Sequence, residues 1–317
     1  MFLASLRSFL VVHQASSCLN EALNDVRYVD QSILIEGCFF YNYLSGSSGG
    51  VVGISSGSYS LDVRSSTFYQ CNSKSGGAIY FISNKSILDK ICARKCHADD
   101  TYSPFAWIQA STHGFCQSIS VLECAVSLTA RYPLFLYYGD QTLLRSNFSM
   151  NKALYYSAFG TYHPNSFFCN YCTFKDNQVS IGCCLTLMAN QGDLSFINVI
   201  NNDSPNGFGV IMVDYSSTYR IEHSFFANNS DVLLYTQSSS TLKVNNSNII
   251  HSETLLSGSV IIGMNITNSN MAIIEMVHYS TYYCNTAYAF KPMMATKGGF
   301  ENLIYYKILT ICLISFD

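Results

Sequence analysis

Apolar residues arrive in short bursts after turns: Gly49-Gly-Val-Val-Gly-Ile54, Gly76-Gly-Ala-Ile-Tyr-Phe81, Pro104-Phe-Ala-Trp-Ile108 and Pro133-Leu-Phe-Leu-Tyr137. The series continues as Tyr155-Tyr-Ser-Ala-Phe159, Cys183-Cys-Leu-Thr-Leu187, Val210-Ile-Met-Val213, Val232-Leu-Leu-Tyr235 and Leu255-Leu256. Anchored on Val51, Ala78, Phe105, Leu134, Tyr155, Cys183, Val210, Val232 and Leu255, the steps are 27, 27, 29, 21, 28, 27, 22 and 23 residues, a mean of 25.5. Between many of these runs lies a second pattern, in which apolar residues alternate with polar ones. Examples are Ile33-Leu-Ile35, Leu61-Asp-Val63, Ile119-Ser-Val121, Leu194-Ser-Phe196, Tyr219-Arg-Ile221 and Leu242-Lys-Val244. A period of two marks a half-buried strand. An aromatic-x-x-Asn turn also recurs, at Phe39/Asn42, Tyr69/Asn72, Phe148/Asn151, Phe174/Asn177 and Phe226/Asn229.

The unit is therefore strand, aromatic-x-x-Asn turn, apolar strand and polar turn, without a helical period. Helical and leucine-rich repeats need amphipathic helices or consensus leucines at fixed places, and a propeller blade needs about 40 residues. The pattern predicts an all-β, right-handed parallel β-helix resembling the pectate-lyase solenoid, with about nine coils of about 25 residues. One coil alone cannot offset its own ordering entropy, roughly 1–2 kcal/mol per residue; stacking shares the buried interior and the ladder hydrogen bonds. The recurrent Asn suits a stacked amide ladder at a turn that tolerates left-handed backbone. The predicted boundaries are 1–31 for an N-terminal segment, 32–278 for the solenoid and 279–317 for an irregular tail. Leu19, Ala22, Leu23 and Val26 are spaced for a short capping helix within 17–30. Phe2 to Val12 reads either as a signal peptide or as a first partial coil, and Leu303 to Phe316 is too short for a full membrane span.

The pairing of Phe-x-x-Asn with Gly-Gly-Ala-Ile resembles the repeat of the chlamydial polymorphic membrane proteins and of similar adhesin-like surface proteins of protist parasites. Gly76-Gly-Ala-Ile79 matches the second motif in full and Gly49-Gly-Val-Val52 closely. Phe39/Asn42, Phe148/Asn151, Phe174/Asn177 and Phe226/Asn229 match the first. The resemblance runs from about Ile33 to Asn270. It implies a β-helix passenger at the cell surface or outside the cell, acting as an adhesin on a surface protein or glycan rather than as an enzyme.

Composition sharpens this picture. Hydrophobic residues make up 49% and charged residues 12%, so neutral polar groups must cover the surface. With a formal charge of −3 there is no basic stripe for nucleic acid. Six Asn-x-Ser/Thr sequons, at Asn84, Asn147, Asn202, Asn228, Asn245 and Asn265, accord with a secretory route and a glycoprotein. The 13 cysteines leave at least one outside any intrachain pairing.

Candidate chemistry is sparse, and no catalytic, cofactor or metal residue is assigned. Cys169 and Cys172 have redox spacing, and Cys92, Cys96 and His97 form a conceivable lone metal set, but small residues filling a stacked interior explain them more simply. The alternative function is a carbohydrate-active β-helix enzyme. Its best candidates are Asp99 and Asp100 followed by His113, in a loose likeness to pectin hydrolases; Thr112 stands where a glycine would precede that histidine. Trp107 and the tyrosines suit sugar rings, although an interior aromatic stack is the more ordinary expectation. Longer loops at 43–50, 97–104 and 125–133 predict a raised patch carrying Tyr43, Tyr102 and Tyr132.

Overall fold

The computed structural model describes residues 32–99, 102–124, 130–205, 208–230, 232–250 and 256–267, together with 274, 276, 278–281 and 284. The signal-peptide and capping-helix expectations and the segment from Leu303 to Phe316 lie outside these residues. All regular structure described is β, and every described strand pair is parallel. Among the described residues no helix is long and apolar enough to cross a membrane.

The chain is a parallel β-helix of the right-handed type. Each coil contributes three strands, one more than the sequence pattern revealed. Sheet I contains Ile33–Glu36, Ser60–Arg64, Asp140–Leu144, Ser166–Asn170 and their later equivalents. Sheet II starts with Phe39–Tyr41 and Thr67–Tyr69, and sheet III with Val52–Ile54. Two long strands, Ile79–Arg94 and Ala106–Leu122, run through all three sheets. The aromatic turn of the sequence pattern is itself the missing strand, only three residues long in coils such as Thr173–Lys175.

Sheet II fixes the count. Phe39 pairs in register with Thr67, then Cys92, Ser120, Asn147, Thr173, Asn198, Phe225 and Asn248. These nine rungs enclose eight turns of about 26 residues. In sheet III the partners Ala106, Leu134, Phe159 and Leu185 correct the apparent steps of 29 and 21 residues. Leu134 to Phe159 is a 25-residue step, because a bulge between Tyr156 and Phe159 displaces the apolar run.

Two corners of each coil use left-handed backbone. One falls at Gly37, Ser65, Lys90, Ser118, Arg145, Tyr171, Phe196, His223 and Asn246, with φ between 46° and 66°. The other falls at Asn42, Gln70, Lys95, Glu123, Met150, Asp176, Asn201 and Asn228. Each such non-glycine residue costs roughly 1–2 kcal/mol, which the ladders beside it offset. The residue after the second corner faces inward and forms one column: Tyr43, Cys71, Cys96, Cys124, Asn151, Asn177, Asn202 and Asn229. Asn151, Asn177, Asn202 and Asn229 donate Nδ2 to the carbonyls of Val121, Phe148, Phe174 and Val199 on the preceding coil, at 2.8–3.1 Å. Cys71 and Cys96 point their thiols at the equivalent carbonyls of Phe40 and Phe68, at 3.8 and 3.5 Å. A thiol is a weaker donor than an amide but fills the same place.

Aromatic rings stack through the interior. Phe40 stacks on Phe68 at 5.0 Å and Phe148 on Phe174 at 5.5 Å between centroids. Tyr219, 1% exposed, lies over Gly192, where an added Cβ would come within 2.2 Å of the ring. Residues near the C-terminus then return along the outer face of sheet II. Asn198 donates to the Ile274 carbonyl, His278 meets Thr173 and Arg145, Ser120 donates to the Tyr279 carbonyl, and Cys284 is disulfide-bonded to Cys92. This strap crosses several coils against the direction of the solenoid.

Candidate binding face

The sequence-derived candidates do not converge. Cys92 faces outward in the disulfide, Cys96 faces inward in the ladder, and half-exposed His97 lies 3.8 Å from Asp99, so the proposed metal trio is dispersed. Cys169 and Cys172 are both buried in the core, and burial pushes the Cys169 thiol well above its usual range, so it behaves as a packing residue. Among the described residues no cluster of three His, Cys, Asp or Glu side chains could hold a metal. Asp99 accepts a bond from Asn72 at the corner between sheets II and III. His113 lies beyond sheet III, in register with Lys85 and Asp140 in sheet I. The extended strand from Ala106 to Ala110 separates Asp99 from His113 by roughly 15 Å; Asp100 is outside the described residues.

The expected tyrosine patch also changes. Tyr43 is 5% exposed and occupies the inward ladder column, and Tyr132, 7% exposed, folds onto sheet III. Only Tyr102, 40% exposed, remains outward. Trp107 departs from the interior expectation in the opposite sense. Its neighbours Ala106 and Ile108 are fully buried inward residues, and strand alternation therefore turns Trp107 outward.

Around Trp107 the outer face of sheet III carries a layer of packed aromatic rings, several of them partly exposed. Outward positions on successive coils carry Tyr80, Trp107 and Phe135, with centroids 6.3 and 4.8 Å apart, but Phe135 is only 5% exposed and packed against Tyr132, so Tyr80 and Trp107 are the accessible rings of the row. Two residues along, Tyr137 stacks on Tyr162 at 5.2 Å with an interplanar angle of 3°. Tyr102 meets Trp107 edge-on at 5.5 Å, and Tyr215 meets Tyr162 edge-on at 5.2 Å. Gly160 makes room for this layer: a Cβ there would lie 2.1 Å from the Tyr132 ring, which stacks on Tyr156 at 4.2 Å. Tyr138 and Tyr215 are 41% and 50% exposed.

The Tyr137 and Tyr162 phenols stay neutral at physiological pH. Burial, then the Tyr138 hydroxyl, pushes Tyr137 up to about 12; a hydrogen bond with Tyr215, then burial, pushes Tyr162 up to about 12. The face thus combines flat apolar rings with hydroxyl donors. Soluble proteins rarely leave contiguous apolar surface of this kind without a binding role.

No protein family, curated protein or solved structure matches the chain. The fold and this face define its class: a parallel β-solenoid with one aromatic side.

Proposed function

We propose that this protein is a non-enzymatic, adhesin-like β-solenoid of the cell surface or extracellular space, and that it binds a glycan through the outer face of sheet III. The observation that carries the reading is the partly exposed pair Tyr80–Trp107 beside the parallel pair Tyr137–Tyr162. Sugar rings present C–H faces that pack on such rings while their hydroxyls bond to phenols at the edges. Coils stack about 4.8 Å apart, so a row across several coils offers repeated contacts to an extended chain. The Cys92–Cys284 disulfide supports an oxidising compartment. The resemblance of Phe148/Asn151 and Gly76-Gly-Ala-Ile79 to adhesin repeats supports the surface role.

The test is a screen of neutral and acidic polysaccharides by affinity electrophoresis, with reducing-end release measured in parallel. The reading expects retention by at least one neutral glycan, lost in the double variant Tyr80→Ala/Tyr137→Ala, and no turnover. Release of reducing or unsaturated ends would instead establish the carbohydrate-active enzyme.

A further inference from the structure

We infer that the C-terminal end of the aromatic face holds a separate pocket for a cationic ammonium group, with Asp214 as its counter-charge. The pocket encloses about 280 Å³ and is lined by Tyr155, Tyr156, Phe208, Met212, Asp214 and Tyr215, among others. Its walls are electron-rich: four aromatic rings and the thioethers of Met188 and Met212 line it with one carboxylate. An ammonium ion is attracted to ring faces by their quadrupoles and to polarisable sulfur, and a carboxylate at the base supplies the full charge.

Local structure explains how the carboxylate is placed there. Asp214 follows the sheet III strand Ile211–Val213, and Tyr215 and Ser216 both adopt left-handed backbone, with φ of 61° and 55°. The turn presents Tyr215 at 50% exposure while Asp214 stays 6% exposed. One Asp214 oxygen accepts the Tyr215 N–H at 2.6 Å, and the other accepts the Gln237 amide. Those contacts fix the group but leave two of its roughly four lone-pair sites unused. Among the described residues no lysine or arginine forms an ion pair with Asp214. A buried carboxylate without a cation is costly, and turn-capping alone does not require the surrounding rings.

The same surface already holds one cation. The Arg131 guanidinium lies 4.6 Å from the Tyr155 centroid and 5.5 Å from that of Tyr102. Phe208 stands 38% exposed at the pocket wall, edge-on to Tyr235 at 5.9 Å. A bound ammonium group would cover these rings and neutralise Asp214 together.

The experiment is calorimetric titration of the full chain with choline chloride and, separately, with its uncharged carbon isostere 3,3-dimethylbutan-1-ol. Choline is expected to bind at least about tenfold more tightly than the neutral isostere. Asp214→Asn preserves size and should weaken choline by about tenfold. Tyr215→Leu changes an exposed ring, leaves the fold in place and should weaken it severalfold, which keeps the test decisive if Asp214→Asn lowers stability. No binding of choline, equal affinity for the two probes, or unchanged affinity in Tyr215→Leu would overturn the assignment. Choline affinity is read without any glycan, so this result is independent of the glycan proposal.

Discussion

Asn177 donates its side-chain Nδ2 to Asn202 Oδ1 at 2.9 Å, and its backbone N–H reaches the same oxygen at 3.2 Å. The same oxygen thus bridges side chain and backbone of the neighbouring coil, and the motif repeats from Asn151 to Asn229. Replacing Asn177 with Leu removes the acceptor for Asn151 and leaves buried donors unpaired, at a cost of about 3 kcal/mol. Asn177→Cys, the residue used by the N-terminal coils, should cost clearly less. Denaturant midpoints of the two variants check this ordering.

The strap depends on the Cys92–Cys284 bond. Cys284→Ser should release Tyr279 and His278 from sheet II, expose the segment to limited proteolysis and lower stability by about 2–4 kcal/mol. Non-reducing peptide mapping should recover the Cys92–Cys284 pair, with Cys116 and Cys183 as thiols that alkylate only after unfolding. Burial raises both of those thiols far above their usual range.

His278 gives the strap a pH dependence. Burial lowers its pKa below the usual 6.5, and Thr173 and the Arg145 carbonyl, its two partners, satisfy a neutral ring. The unfolded chain therefore binds a proton before the folded one does. Stability from this site is complete above pH 6.5 and falls as the pH drops from there toward the folded-state pKa, by at most about 1.4 kcal/mol per pH unit. His278→Gln should flatten the decline in thermal midpoint between pH 7 and pH 5.

The six sequons are not equivalent. Asn147 and Asn202 are 2% and 1% exposed, and Asn202 belongs to the amide ladder, whereas Asn228 and Asn265 are exposed. Folded protein secreted from a eukaryotic host should carry glycans at Asn228 and Asn265 and none at Asn202. Glycopeptide mapping decides it, since a glycan on Asn202 is incompatible with the observed packing.

The solenoid and its period were legible because the first inward position of sheet III is apolar in every coil, from Val52 and Ile79 to Ile211 and Leu234. Sheet II was hidden by its length: Phe174 is the only inward residue of its three-residue strand, too few for an alternation to register. The Asn ladder was readable from Phe148/Asn151 onward, but Phe39/Asn42 and Tyr69/Asn72 are out of phase. The inward pairs there are Phe40/Tyr43 and Phe68/Cys71. Nothing about Arg145, Tyr171 or Phe196 announces left-handed backbone, because stacking between coils imposes it. The proposed binding face was missed because Tyr80, Trp107 and Phe135 lie a full coil apart, and only the register brings them together. The strap joins Cys92 to a partner 192 residues away, a pairing no local pattern encodes.

Trp107 is the chain's single tryptophan, so its emission reports on the proposed glycan face alone. The most direct measurement is a titration of Trp107 fluorescence with a neutral oligosaccharide retained in the polysaccharide screen. Glycan binding on this face predicts a saturable change in emission whose midpoint matches the Kd from affinity electrophoresis, and loss of that change in Tyr80→Ala/Tyr137→Ala. Saturable retention in affinity electrophoresis with no change in Trp107 emission would contradict it, placing the glycan elsewhere on the solenoid.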